Sequence, residues 1–342
     1  MAVTGTVPLT AEHATAPNTW VLPEHKVLFT HLAKNACTSL KWLVAELSGQ
    51  DPEQFTSVLS CEATPRMMIH HRRLWHDVRS LKQLEPAERA EISPANGWFV
   101  FAVVRDPRLR AFSAWQSKFL VGDPVYTGRK FAGAEWLPDA PGSVEDVVRD
   151  FARFVEVLRD PRGPVRDTHF APQTTRLHED TIPYSRIYDI SDISTLLGDL
   201  SAHLDDVGRP HEVSLGREND TPLRAASEVF EGGVREALEE IYGADLARFG
   251  DRWDFDPVMQ KPAQWSASDF RDIAARRSLG ERITTLYGIA KDERAAIKDL
   301  EQEKAGLVRA NRDLERSLAR ATRTPLRRAA SKAKRMMTRS GD

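Results

Sequence analysis

Six consecutive apolar residues, Phe99-Val100-Phe101-Ala102-Val103-Val104, constrain this chain more than any other feature. A strand with one wet face alternates polar and apolar residues. A strand that is apolar throughout is covered on both faces, as in parallel sheets flanked by helices. Arg105-Asp106-Pro107 follows at the strand's C-terminal end, and proline is well suited to open a helix at its first position. The segment therefore predicts a buried strand turning directly into a helix, and with it an α/β architecture.

A second strand–loop–helix unit lies upstream. Val27 to Thr30 reads as a short buried strand, His31 to Ala36 as a tight loop, and Thr38-Ser39 as a hydroxyl pair opening an amphipathic helix. Backbone N–H groups at a helix N-terminus, the helix dipole and one lysine, Lys34, together make an anion cradle. Ordinary nucleotide-binding loops carry G-x-x-x-x-G-K-[ST]. This loop has no glycine, and Lys34 precedes the hydroxyls with three residues between. Arg105 and, eight residues on, Ser113 can converge on a second phosphate: arginine supplies a bidentate fork and serine one hydroxyl. The predicted fold is α/β, a P-loop-like central parallel sheet flanked by helices, plus a C-terminal long helix or coiled coil.

HLAKNACTSL followed by FAVVRDPRLRAFSAW resembles the two cofactor signatures of sulfotransferase family 2. The resemblance is closest to the carbohydrate branch that includes the chondroitin and dermatan enzymes, in its bacterial-type form. Asp167-Thr168-His169-Phe170-Ala171-Pro172-Gln173 resembles the family's H-[FW]-x-P-Q element. Ile241-Tyr242-Gly243-Ala244-Asp245, running on to Phe249-Gly250, resembles its closing element. The resemblance covers roughly 22–256. It implies 3′-phosphoadenosine 5′-phosphosulfate (PAPS) as sulfuryl donor. Lys34, Asn35, Ala36, Cys37, Thr38 and Ser39 would hold the 5′-phosphosulfate, and Arg105, Arg110 and Ser113 the 3′-phosphate. Ala33 departs from the family's usual proline.

Composition narrows the setting. A chain of 342 residues can bury one large core and carry extensions. The formal net charge of −2 argues against a uniformly basic nucleic-acid binder. Two cysteines, Cys37 and Cys61, make no disulfide framework and suit a reducing compartment. No apolar run is long enough to cross a membrane, and residues 1–20 lack the basic start and apolar core of a signal peptide. A cytoplasmic enzyme is expected. The domains expected are a flexible arm over 1–20, a catalytic domain over 21–260, a coiled coil over 268–321 and a basic flexible tail over 322–342.

The coil rests on a seam stepping by four and three: Leu279, Ile283, Leu286, Ala290, Glu293, Ile297, Leu300, Lys304, Leu307, Asn311, Leu314 and Leu318. Its pattern predicts a parallel homodimer, with Lys304 and Asn311 fixing register. Residues 322–342 hold seven Lys or Arg and one Asp, so contact with an anionic membrane surface is a second expectation. The Pro- and Gly-rich stretch 122–142, with Tyr126, Phe131 and Trp136, reads as a long loop that could cover substrate.

Sulfuryl transfer needs alignment, charge stabilisation on the leaving phosphate and a base for the acceptor hydroxyl. Lys34 is the candidate for the cation that stabilises the bridging oxygen. His71 is the first choice of base, with His70, His76 and His169 as alternatives. Arg72, Arg73, His169 and Gln173 are the candidate substrate contacts, for a saccharide or glycolipid. No cluster has zinc-ligand spacing, and the chemistry requires no metal. Two competing readings are a P-loop nucleotide kinase, which would need the missing glycines, and a catalytically silent coiled-coil scaffold.

Overall fold

A computed structural model describes residues 16–160, 162–163, 165, 167–216 and 221–337. Residues 1–15 of the expected arm and 338–342 of the expected tail lie outside them. The chain divides into two compact units, one as far as Thr284 and one from Thr285 onward.

The first unit is built on a four-stranded sheet in the order β1 (Thr19–Leu22), β2 (Val27–Thr30), β3 (Phe99–Val104), β4 (Arg186–Asp189). β2, β3 and β4 are mutually parallel, with Val27 opposite Phe99 and Phe101 opposite Arg186. β1 runs antiparallel to β2 along one edge. All six residues of β3 are buried, as the apolar run requires. Successive side chains of a strand point to opposite faces. Phe99, Phe101 and Val103 thus pack with Phe29, Leu40, Leu43, Leu196 and Leu200. Ala102 and Val104 pack on the other face with Leu177 and Phe249.

The longer helices are α1 (Cys37–Leu47), α2 (Pro107–Trp115), α3 (Val144–Arg159), α4 (Ile193–Asp206), α5 (Val234–Ile241), α6 (Gly243–Phe249) and α7 (Ala267–Met337). Pro107 opens α2, and the Asp106 carboxylate caps it by accepting from the Arg108 N–H at 2.9 Å. Ser143 caps α3 in the same way, accepting from the Asp146 N–H. α2 continues into one π-helical turn, Gln116–Leu120. An aromatic core joins them: Phe112 lies 5.1 Å from Phe151, and Phe119 lies 5.2 Å from Phe154, centroid to centroid.

Three expectations change. Residues 16–20 are not an arm, because Thr19 to Leu22 form a buried edge strand. The stretch 122–142 is packed down rather than loose: Tyr126 and Phe131 are buried in the aromatic core, and Trp136 packs against it. α7 runs unbroken from Ala267 to Met337, so 322–337 is helical rather than a flexible tail, and 267–284 belongs with the first unit. In the second unit, Leu286, Ile297, Leu300, Leu307, Leu314 and Leu318 are between 46% and 68% exposed.

Candidate active site

β2 and β3 end side by side, so the loops that follow them meet. The β2–α1 loop holds Lys34 at φ +70° and Ala36 at φ +54°. Both are left-handed, which costs a residue with a Cβ roughly 1–2 kcal/mol. Alternating backbone hands turn successive N–H groups toward one point, the nest geometry that binds anions. The first N–H groups of α1 add donors with no intrahelical partner.

Two cations meet at this loop. The Lys34 ammonium donates to the Ser117 hydroxyl at 3.0 Å and pairs with no carboxylate among the described residues. Burial, with the charges of Lys118 and Arg105, lowers its pKa from 10.5 to about 8. The Arg105 guanidinium rests against the loop, its Nη1 only 3.5 Å from the Lys34 carbonyl, and it too lacks a carboxylate among the described residues. Burial lowers its pKa as well. Asp106, its neighbour in sequence, is taken by Arg108 at 2.7 Å. Ser113 lies on α2 one helical turn before Ser117, so both hydroxyls share one face. Two half-buried cations with no carboxylate partner among the described residues, beside this nest, form a site suited to a multiply charged anion.

Several predicted contacts are struts instead. The Asn35 amide donates to the Val103 carbonyl at 2.8 Å and to Gln173 Oε1 at 2.7 Å, pinning the loop to β3. Gln173 Oε1 also accepts from the Arg105 N–H at 3.0 Å, and its Nε2 donates to the Arg105 carbonyl at 2.9 Å and to Asp245 at 3.2 Å. That amide is saturated and has nothing left for a substrate. The Ser39 hydroxyl donates to the Gly216 carbonyl at 2.7 Å. The Arg110 guanidinium donates to the His169 carbonyl at 3.0 Å and to the Ala171 carbonyl, so it braces that segment. Arg72 donates to the carbonyls of Thr19 and Val78 and covers the Trp20 ring, so it braces β1. Arg73 is exposed.

The histidines separate. His71 pairs with Glu62 at 3.1 Å and not with the loop. His76 is exposed, and its backbone binds Gln50. His70 does reach the loop: Nε2 lies 3.0 Å from the Thr38 hydroxyl and Nδ1 2.9 Å from the Lys41 ammonium. Both ring nitrogens are thereby engaged. Burial and Lys41 hold His70 well below pH 6.5. His169 Nδ1 lies 2.5 Å from Asp167 Oδ1 and 3.0 Å from the Tyr126 hydroxyl, and Nε2 has no partner among the described residues. Burial, outweighing the bond to Asp167 and helped by Lys118 and Lys34, lowers His169 to about 4. Burial would raise Asp167, but its bonds from His169 and Lys130 hold it well below the carboxylate range. His169 is thus a neutral imidazole oriented by a carboxylate, with one open lone pair.

Sequence reasoning missed Ser117 and Asp167 as parts of the site. Ser117 was detectable as the residue four beyond Ser113, and Asp167 as the acid two before His169. The fold also gathers His31, Cys37 and His70, whose ligating atoms lie within 4.8 Å of one another. Lys41 beside His70 opposes a cation there.

Residues 17–250 match the family model described as "Sulfotransferase family". No curated protein and no solved structure matches the chain.

Proposed function

Since the chain belongs to the sulfotransferase family, we propose that it moves a sulfuryl group from PAPS to a hydroxyl of a carbohydrate or glycolipid. One observation carries the choice of donor: Lys34 and Arg105 are half-buried, lack carboxylate partners among the described residues, and meet at a single loop. A nucleotide with anionic groups at both 5′ and 3′ positions supplies what both lack. Lys34, with the N–H groups of the loop and of α1, holds the 5′ group; Arg105 and Ser113 hold the 3′ phosphate.

In the transfer, the acceptor oxygen bonds to sulfur as the bond from sulfur to the bridging oxygen breaks, and that electron pair stays on the leaving phosphate. Lys34 stabilises the charge that develops there. His169 Nε2 takes the proton of the acceptor hydroxyl, and Asp167 stabilises the imidazolium that forms. A pKa of about 4 describes His169 beside uncompensated cations. An anionic donor offsets Lys34 and Lys118 and raises His169 toward its working range. His70 is the second reading of the base, favoured by its bond to Thr38.

The acceptor approaches on the side of His169. We further propose that the seam of α7 pairs two copies in parallel, that the basic end of the helix touches anionic membrane, and that the enzyme works in the cytoplasm.

Thermal shift provides the first test. 3′-Phosphoadenosine 5′-phosphate is expected to stabilise the protein and ATP–Mg²⁺ to do little; the reverse result returns the chain to a nucleotide kinase. Labelled donor with a panel of glycans and glycolipids should then give products heavier by one sulfuryl group. His169→Gln is expected to lower kcat by about 10²–10⁴ and to leave donor affinity nearly unchanged. Full activity in that variant moves the base to His70.

A further inference from the structure

The first turns of α7 lie beyond the stretch matched to the family, yet they are locked into the catalytic unit. Ile273 is completely buried in the aromatic core. Arg277 donates through Nη1 to the carbonyls of Phe119 (3.1 Å) and Leu120 (3.0 Å), and through Nη2 to that of Pro138 (2.8 Å). Glycines allow this approach. A Cβ on Gly280 would stand 2.4 Å from the Gly122 carbonyl, and one on Gly128 would stand 2.7 Å from the Thr284 hydroxyl. Gly122 itself sits at φ +69°, against the backbone of Arg277.

The carbonyls of Phe119 and Leu120 close the π-helical turn Gln116–Leu120. The Phe119 carbonyl also accepts the Gly122 N–H at 3.1 Å; helix C-termini carry partial negative charge, which a guanidinium offsets while using the remaining carbonyl lone pairs. This turn presents Ser117, the partner of the Lys34 ammonium at 3.0 Å. It also presents Lys118, which is bound to Asp123 at 2.9 Å. A π-helical turn is a rare element, met mostly as a single turn and often at functional sites.

We propose that Arg277 is a positioning residue for catalysis: by capping this turn from α7 it sets Ser117, and through Ser117 the place of the Lys34 ammonium. The catalytic unit is therefore completed by residues 267–284, outside the region that carries the family's own motifs. The proposal rests on Lys34 being the cation that stabilises the leaving phosphate.

The test uses full-length protein. Arg277→Met is expected to lower kcat by about 10- to 100-fold, the cost of a misplaced catalytic group, with acceptor KM little changed. Arg277→Lys keeps one donor toward the same carbonyls and should recover part of the loss. In a Ser117→Ala background, Arg277→Met should have little further effect, because both act through one contact. Losses that multiply in full, or a lower Tm with unchanged kcat, overturn the proposal.

A second readout needs no activity: the pH dependence of Lys34 acylation, followed by peptide mass spectrometry. Its midpoint should lie near 8 in the wild type and move upward in Arg277→Met as the amine gains water. A midpoint that stays in place refutes the positioning role. If the wild type transfers no sulfuryl group to any acceptor, the proposed function falls, and the acylation result still decides the role of Arg277.

Discussion

Lys34 answers to two opposite demands. Burial lowers its pKa from 10.5 to about 8. Between those values an unfolded chain keeps the proton and the folded protein releases it, so this group adds stability as pH rises from about 8 to 10.5. Anion binding needs the proton, so donor affinity falls over the same window. The Tm difference between wild type and Lys34→Met should therefore shift in favour of wild type as pH rises, while stabilisation by 3′-phosphoadenosine 5′-phosphate shrinks. Matching slopes for the two quantities would contradict the assignment. The histidines show a limit of sequence at this scale. His70 and His71 are adjacent at the end of a 3₁₀ segment, where successive side chains point about 120° apart. One reaches Thr38 and the other Glu62. Spacing could place the pair near the loop, but it could not choose between them.

Among the elements, α6 fixes the loops that follow β2 and β3. Asp245 is completely buried, and its carboxylate accepts from the N–H groups of Gln173 (2.8 Å) and Thr174 (2.9 Å) and from the Thr174 hydroxyl (3.0 Å). It also accepts from Gln173 Nε2, whose amide holds Arg105 and Asn35 in turn. Asp245→Asn puts an NH₂ among donors and should cost about 2–3 kcal/mol of stability, measured by urea denaturation. Donor affinity should drop with it; a stable variant with weak donor binding would instead make Asp245 a part of the site alone. β2, β3, α1 and α2 were legible because an apolar run and the helix-opening residues that follow it are local signals. β1 was not, since four residues of strand beside a polar stretch carry little pattern. The side-chain amides of Gln173 and Asn35 are engaged within the protein for a different reason. A motif marks residues that a site needs, and a buried amide strut is needed as much as a ligand contact.

At the scale of the whole molecule the two units have unlike sources of order. The first buries its own core. In the second, the seam leucines from Leu286 to Leu318 stay 46% to 68% exposed along one helix. A single helix without tertiary packing is marginal in water, and Gly288 and Gly306 each weaken it by roughly 1 kcal/mol. Two copies joined along the seam would remove those leucines from water. Analytical ultracentrifugation should find a dimer, and Leu300→Asp with Leu307→Asp should return a monomer; a wild-type monomer at high concentration would exclude the pairing. Pairing along the exposed seam, as proposed, would make part of this protein obey mass action. Helix formed only by association melts on dilution, while a self-contained core does not notice it. Far-UV helical signal should therefore decline as the protein is diluted, with the near-UV signature of the aromatic core unchanged. Concentration, rather than heat or denaturant, would then separate the two halves of the chain.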